Sequence, residues 1–191
     1  MSLLITTSRY PTRRTRTFCK DFVSVIPRSA YITRGHANLI DIASYAKLHN
    51  FTHFGIVSVW KGNPGKIMFY KITGDTYMQV SPIMYLKGVA TTKDLKRPRF
   101  SKRNISTLCF KIKSVFPFMQ ELAEIFNAKI IHSDESYNCD IICVFKPMPK
   151  DILKLKFIHS ILGEEQYVEV GPILKIKLMD VPRNVSLSSN T

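Results

Sequence analysis

Apolar residues along the chain follow two different periods, and the switches between them mark the elements. Leu3-Leu4-Ile5 is a continuous apolar triplet of the kind that starts a buried strand. Thr6 to Pro11 then supplies hydroxyls and a proline, the usual chemistry of a helix start. Phe18, Phe22, Val25 and Ile26 recur at i, i+4, i+7 and i+8, one stripe of an amphipathic helix that Pro27 ends. Tyr31-Ile32-Thr33 reads as a second strand, and Gly35 permits a turn at positive φ. Leu39, Ile42, Ala43 and Ala46 predict a second helix within 36–49, with Asn38 and Asp41 spaced as a capping pair. Phe54, Ile56, Val57, Val59 and Trp60 form a largely apolar strand. Gly62-Asn63-Pro64-Gly65 is turn chemistry, residues 67–72 return as a hairpin partner, and a further strand covers 77–88. From Lys87 to Arg103 the chain is polar, basic and broken by proline, and it reads as a linker.

The second half echoes the first. At an offset of 85, Val59-Trp60-Lys61 matches Val144-Phe145-Lys146, and Pro64, Ile67 and Lys71 match Pro149, Ile152 and Lys156. At an offset of 90, Val80-Ser81-Pro82-Ile83 matches Val170-Gly171-Pro172-Ile173. At an offset of 100, Phe18–Ile26 parallels Phe118–Phe126. The step from 100 to 85 removes about the length of the helix at 36–49. The expectation is an α/β fold of two similar half-domains from an internal duplication, the second lacking one helix. Its units are an N-terminal half at 1–90, a basic linker at 91–104, a C-terminal half at 105–181 and a disordered tail at 182–191.

Composition narrows the function. With 191 residues, 45% apolar and 22% charged, the chain can bury a core, so wholesale disorder is excluded. The net charge of +14 is lopsided: residues 1–113 carry 20 basic and 4 acidic side chains, residues 114–191 carry 8 and 10. A one-sided field of this kind favours a polyanion, of which a phosphate backbone is the commonest, over a small neutral substrate. No apolar run reaches membrane-spanning length, and MSLLITTSRYP has neither the basic segment nor the cleavage site of a secretory signal. Four scattered cysteines, Cys19, Cys109, Cys139 and Cys143, argue against a disulfide scaffold and for a reducing compartment.

Arg9, Arg13, Arg14, Arg16 and Lys20 are the sharpest local signal. Cations in the first turn of a helix oppose the macrodipole at a cost of up to about 1 kcal/mol each, and a phosphate bound to the free N–H groups reverses that cost. Arg13, Arg16 and Lys20 lie opposite the Phe18/Phe22 stripe and are expected to face solvent together, as an RNA contact or as a solvated face. Arg34-Gly35-His36 and the turn holding Lys61 and Lys66 follow strands, where loops meet ligands. Gly62-Asn63-Pro64-Gly65-Lys66 is no P-loop, because the spacing is short, no Ser or Thr follows Lys66, and a strand comes next. Lys93, Lys96, Arg97, Arg99, Lys102 and Arg103 surround Phe100 in a strap that RNA would order, or in a soluble linker.

Catalytic and metal readings find no motif. Cys139 and Cys143 share strand parity with Ile141 and are expected as buried thiols without zinc-ligand spacing. The five histidines pair with no nucleophile. Asp134-Glu135 and Glu164-Glu165 read as turns. Trp60 and Tyr70 are candidates for base stacking, but strand parity places Trp60 in the core.

The run Ile5-Thr6-Thr7-Ser8-Arg9-Tyr10-Pro11-Thr12-Arg13-Arg14-Thr15-Arg16-Thr17-Phe18-Cys19-Lys20-Asp21 resembles the opening of the Brix-domain family, the ribosome-biogenesis group that includes processome-associated IMP-type proteins. Arg34-Gly35 before a helix, Lys61-Gly62-Asn63-Pro64-Gly65, and the closing Val170-Gly171-Pro172-Ile173-Leu174-Lys175 extend the resemblance over about 2–180. It implies a non-enzymatic factor that binds pre-rRNA and uses no cofactor or metal. It also implies two half-domains similar to the anticodon-binding domain of class II aminoacyl-tRNA synthetases. By the same resemblance Arg9, Arg13, Arg14, Arg16 and Lys20 carry over as RNA contacts, with Arg34, Lys61 and Lys66 beside them. Ser81 stands where the family tends to have glycine before proline. The long extensions of eukaryotic members are missing, which looks archaeal and so cytoplasmic; a eukaryotic member would be nucleolar. The implied partners are rRNA and, through the acidic C-terminal half, a ribosomal protein or another assembly factor. A scaffold whose basic half docks an acidic protein is the alternative.

Overall fold

The computed structural model describes residues 2–101, 105–132, 139–160 and 167–182. A first arm runs β1 (Leu3–Thr7), α1 (Arg13–Ser24), β2 (Ser29–Tyr31), α2 (Leu39–Leu48), β3 (His53–Trp60), β4 (Asn63–Thr73) and β5 (Thr76–Ala90). A second runs β6 (Leu108–Ile112), α3 (Met119–Phe126), β7 (Lys129–His132), β8 (Ile141–Met148), β9 (Ile152–Ser160) and β10 (Tyr167–Met179). All the strands join one ten-stranded sheet in the order β2-β1-β3-β4-β5-β10-β9-β8-β6-β7. In each arm a first strand lies parallel between two neighbours, β1 between β2 and β3, β6 between β7 and β8. An antiparallel meander follows in each, and β5 pairs with β10 from Ile173↔Ala90 to Met179↔Ile83 to close the sheet at its middle. The order and sense of the strands are therefore the same in both arms; α2 has no counterpart among the described residues. No described helix is long and apolar enough to cross a membrane.

α1 and α3 share one face of the sheet because each carries a stripe that the sheet can bury. Phe18 and Phe22 from α1 and Phe126 from α3 are fully buried in one cluster that also takes Phe69, Phe110 and Phe157 from the strands. The Phe22 ring centroid sits 5.6 Å from that of Phe126 and 6.4 Å from that of Phe157, edge-on to both. Each such side chain contributes about 1.5–3 kcal/mol on burial, so the two arms are fused by one core. α2 covers the other face of the first arm, where Ile42, Ala43 and Ala46 meet Leu4, Phe54 and Tyr70. Its start is the capping box foreseen: Asn38 Oδ1 accepts from the N–H groups of Ile40 and Asp41, and Asn38 N–H donates to Asp41 Oδ2 at 2.8 Å. Gly171 is needed where β10 bulges against the end of α1. Its φ is +64°, and a Cβ there would lie 2.4 Å from Val25. The Ser81–Pro82 bond is cis, within β5.

Three expectations need correction. Cys139 is not a buried thiol: it is disulfide-bonded to Cys109. β8 begins only at Ile141, so strand parity does not extend back to Cys139, which packs with Cys109 and Ile131 on the face away from the main core. Cys19 and Cys143 are the free, buried thiols. The polar linker starts after Ala90 rather than at Lys87, because Lys87 to Ala90 still pair with β10 or border it within β5. Its described part is also not a loose strap. Asp94 Oδ2 accepts from Thr91 N–H at 2.9 Å, and the buried Asp21 accepts from Thr92 N–H at 2.9 Å. Lys102, Arg103, the Asp134-Glu135 and Glu164-Glu165 pairs and the tail from 183 onward lie outside the described residues.

Candidate nucleic-acid interface

β1, β2 and β3 are parallel or flank one another so that Thr7, Tyr31 and Trp60 end at the same edge of the sheet. In parallel sheets the loops leaving the carboxyl ends of the strands are where ligands bind. Three loops converge here. Ser8 N–H donates to Val57 O at 2.8 Å, and Thr6 Oγ1 donates to Ile32 O at 2.9 Å, which ties the 8–12 and 32–38 loops to their strands. Thr12 caps α1 by accepting from Thr15 N–H at 3.2 Å and donates its hydroxyl to Gly62 O at 2.9 Å. One threonine thus joins the helix start to the β3–β4 turn.

A cavity of about 290 Å³ opens between these loops, lined among others by Arg9, Tyr10, Arg16, Arg34 and His36. Arg34 is half-buried and aimed by its backbone contacts: Nε donates to Ala37 O at 2.9 Å, and Nη1 to Thr7 O at 3.4 Å. Burial first, and then the neighbouring Arg9 charge, lowers its pKa below the ordinary guanidinium value, though a guanidinium stays charged at neutral pH. Arg16 Nη2 donates to Pro11 O at 2.9 Å and is otherwise exposed. None of Arg9, Arg16 and Arg34 has a carboxylate partner among the described residues. Tyr10 stands at the rim, 90% exposed and held at φ 56°, a left-handed conformation costly for a bulky side chain.

The other predicted contacts divide sharply. Arg13 and Lys20 are exposed on the outer face of α1, opposite Phe18 and Phe22, with no carboxylate among the described residues. Arg14 is different. Its guanidinium grips Asp94 through two bonds, Nη1–Oδ1 at 3.0 Å and Nη2–Oδ2 at 2.8 Å, and donates to Val89 O as well. The Thr91 N–H and then Arg14 hold Asp94 below the usual carboxylate range, against some burial. Arg97 donates to Glu169 at 2.8 Å, and Arg99 donates to the fully buried Asp21 at 2.8 Å. Lys61 is exposed at the turn with φ 46°, Lys96 is exposed with φ 52°, and Lys66 is half-buried with its ammonium over the Tyr85 ring.

Trp60 is a second correction. It is 69% exposed: it keeps the parity of Phe54 and Ile56, but the cluster under α2 reaches only to Ile56, so the last residue of β3 is left uncovered. Tyr70 is buried and stacked on Phe54, with ring centroids 4.8 Å apart. Among the described acids of the second half several are used internally: Glu169 by Lys156 and Arg97, Glu124 by Lys71, and Asp140 by Ser106 and Thr107. Among the described residues no group of three or more His, Cys, Asp or Glu side chains is placed to hold a metal ion.

No model of a known protein family matches the chain. A Brix domain-containing ribosomal biogenesis protein of Pyrococcus horikoshii is 30% identical over 190 residues, covering 92% of this chain and 83% of that protein. The chain belongs to the Brix-domain family. A Brix-domain relative from Thermococcus kodakarensis is 28% identical over 195 residues, covering 92% of this chain and 89% of its own. The fold agrees. The crystal structure of a ribosomal biogenesis protein from Aeropyrum pernix superposes with a TM-score of 0.78 at 24% identity, over 92% of this chain and 94% of that one. An archaeal Imp4-like protein, Mil, superposes with a TM-score of 0.64 at 20% identity, over 93% and 99%. These relatives are archaeal ribosome-biogenesis proteins, and their names support a ribosome-biogenesis role for this Brix domain.

Proposed function

We propose that this Brix-domain protein is a non-catalytic ribosome-assembly factor that holds pre-rRNA at the carboxyl ends of β1, β2 and β3. The carrying observation is the contrast among its arginines. Arg14, Arg97 and Arg99 are neutralised by Asp94, Glu169 and Asp21, whereas Arg9, Arg16 and Arg34 crowd one cavity without a described carboxylate. Like charges gathered beside the positive end of α1 repel one another and the helix dipole. A phosphate between them removes that repulsion and accepts forked hydrogen bonds. Tyr10 at the rim offers a ring to a neighbouring base. Arg13 and Lys20 extend the phosphate track along α1, with Lys61 beside it. Arg14, Arg97 and Arg99 are assigned instead to fastening residues 91–101 onto the body.

The equal strand order of the two arms supports an ancestral duplication in which the second copy lacks α2, each copy similar to the anticodon-binding domain of class II aminoacyl-tRNA synthetases. Binding would be to shape and single-stranded segments rather than to a duplex sequence. With archaeal relatives, the reading places the protein in the cytoplasm. The test is a competition: labelled rRNA fragment on the protein is challenged with unlabelled RNA and with polyglutamate of equal charge. RNA displaces the label at concentrations at least about tenfold lower, since forked phosphate contacts are worth more than charge alone. Equal displacement points instead to a scaffold for an acidic protein.

A further inference from the structure

The sheet face opposite α1 and α3 carries a feature that the arginine end does not explain. Trp60 lies 69% exposed beside a groove of about 730 Å³, with Lys66, Tyr85 and Lys87 along it. An exposed tryptophan offers a large apolar ring with a polar N–H, the kind of side chain enriched where a partner docks. Gly65 lets it lie against the hairpin, since a Cβ there would sit 2.7 Å from Trp60 Cβ. The Lys66 and Lys87 ammonium groups stand 5.9 and 5.5 Å from the centre of the Tyr85 ring. The groove therefore combines two aromatic rings with two cations, the pairing that single-stranded nucleic acid uses: bases stack, phosphates meet lysines.

The surroundings continue that chemistry. Across the strands Lys66, Tyr85 and Lys177 stand in one row of the register, and Lys146, Lys154 and Lys175 in another. Each alternates with buried Ile67, Met84, Ile176, Leu155 or Phe145, so both rows project from the face away from α1 and α3. Among the described residues this face offers few acids in return: Asp151 bonds Lys177, and Glu169 bonds Lys156. The groove also begins where the arginine end stops, because Thr12 at the head of α1 is bonded to Gly62 in the turn that follows Trp60. We infer that the Trp60–Tyr85 groove takes an unstacked base of single-stranded RNA, and that the lysine rows beyond it carry the strand across the second arm. This rests on the RNA-binding reading and adds a second site to it.

Trp60 is the one tryptophan in the chain, so its emission reports this groove alone. A short fluorescein-labelled oligouridylate is titrated at low salt, with binding followed by anisotropy and by tryptophan emission on an unlabelled equivalent. Emission is expected to fall by about half or more as anisotropy saturates, because a stacked base quenches the ring, and to stay unchanged with polyglutamate or inorganic polyphosphate. Trp60→Ala and Tyr85→Ala should each weaken the oligonucleotide by about 5- to 150-fold, the range of one lost base stack, while Trp60→Phe keeps most of the affinity. Trp60 is largely exposed, so a thermal melt should show the Ala variant folded. Saturation by anisotropy with unchanged emission and undiminished Trp60→Ala affinity would overturn this second site and leave the arginine end standing. Equal quenching by polyglutamate would overturn it in favour of an acidic protein. No oligouridylate binding by either readout removes both sites together.

Discussion

At the carboxyl ends of β1 and β3, α1 opens with Thr12 as a side-chain cap, no acid in its first turn, and Arg13, Arg14 and Arg16 in sequence. At the matching place in the second arm, beyond β6 and β8, α3 opens from Phe118 at φ 63° with no side-chain cap and with Glu121 in its first turn. Both helices bury the same kind of aromatic stripe in the same core. Glu121 complements the dipole, whereas the arginines oppose it. The backbone pattern therefore does not call for arginines, and the proposed phosphate ligand would account for the difference. The arms also differ on their opposite face. α2 covers the first, while in the second Cys109 and Cys139 are joined beside Ile131.

Removing the disulfide strikes at that second difference and should have the largest effect. The 30-residue separation of Cys109 and Cys139 corresponds to about 3.6 kcal/mol of stabilisation on the chain-entropy account. Cys109→Ser, or reductant on the wild type, should lower the melting temperature by several degrees. Thiol titration of the unfolded, unreduced protein should find two reactive cysteines, Cys19 and Cys143. Four would show the bond absent.

Arg99→Ala leaves Asp21 buried with only its Thr92 donors. The expected loss is about 2 kcal/mol in urea unfolding, the scale of a hydrogen bond to a buried charge. RNA affinity should change far less than with Arg9 or Arg16 substitutions. A pure affinity loss would mean that the strap arginine contacts ligand after all.

Acid should loosen the same fastening. Asp94 is held low by the Thr91 N–H and Arg14, and Glu169 by Lys156 and Arg97. Burial raises Asp140, but donors from Ser106 and Thr107 more than offset it. Carboxylates lowered by folding contribute their full stability above the unfolded value near pH 4, and lose it as pH falls through the lower folded values. Burial lowers the His53 pKa, so its neutral form contributes stability that starts to go as pH falls below the unfolded value near 6.5. The melting temperature should therefore decline modestly below about pH 6.5 and fall more steeply below about pH 4. A profile flat down to about pH 3 would show that neither His53 nor these carboxylates is coupled to folding. The smallest effect belongs to Glu121→Gln, which removes a favourable dipole contact worth about 0.3–1 kcal/mol and should leave RNA affinity unchanged.

Much of the fold was legible because it rests on short-range patterns. The Phe18/Phe22 stripe and the Asn38–Asp41 capping pair each declare themselves within a few residues; so does the hairpin after Trp60, although its turn is Lys61-Gly62 and Asn63-Pro64-Gly65 already lie in β4 rather than in a turn. Trp60 was misplaced because it shares the parity of the buried Phe54 and Ile56, and only the folded chain shows that the cover of α2 ends before the strand does. Which arginines are occupied was not legible at all. The partners of Arg14, Arg99 and Arg97 lie 80, 78 and 72 residues away in sequence, so only the folded chain separates clamped cations from those left facing the cavity. The Cys109–Cys139 bond was hidden for a related reason, since Cys139 lies just outside the strand whose alternation was used to place it.

The most direct test of the arginine end is the salt dependence of rRNA-fragment binding for the wild type and for Arg9→Ala/Arg13→Ala/Arg16→Ala. All three side chains are exposed and free of described carboxylates, so the variant should melt at the same temperature or slightly higher. The slope of log K against log salt should flatten by about 2, near 0.7 for each lost single-strand phosphate contact. An unchanged slope, with RNA still bound, would contradict the assignment.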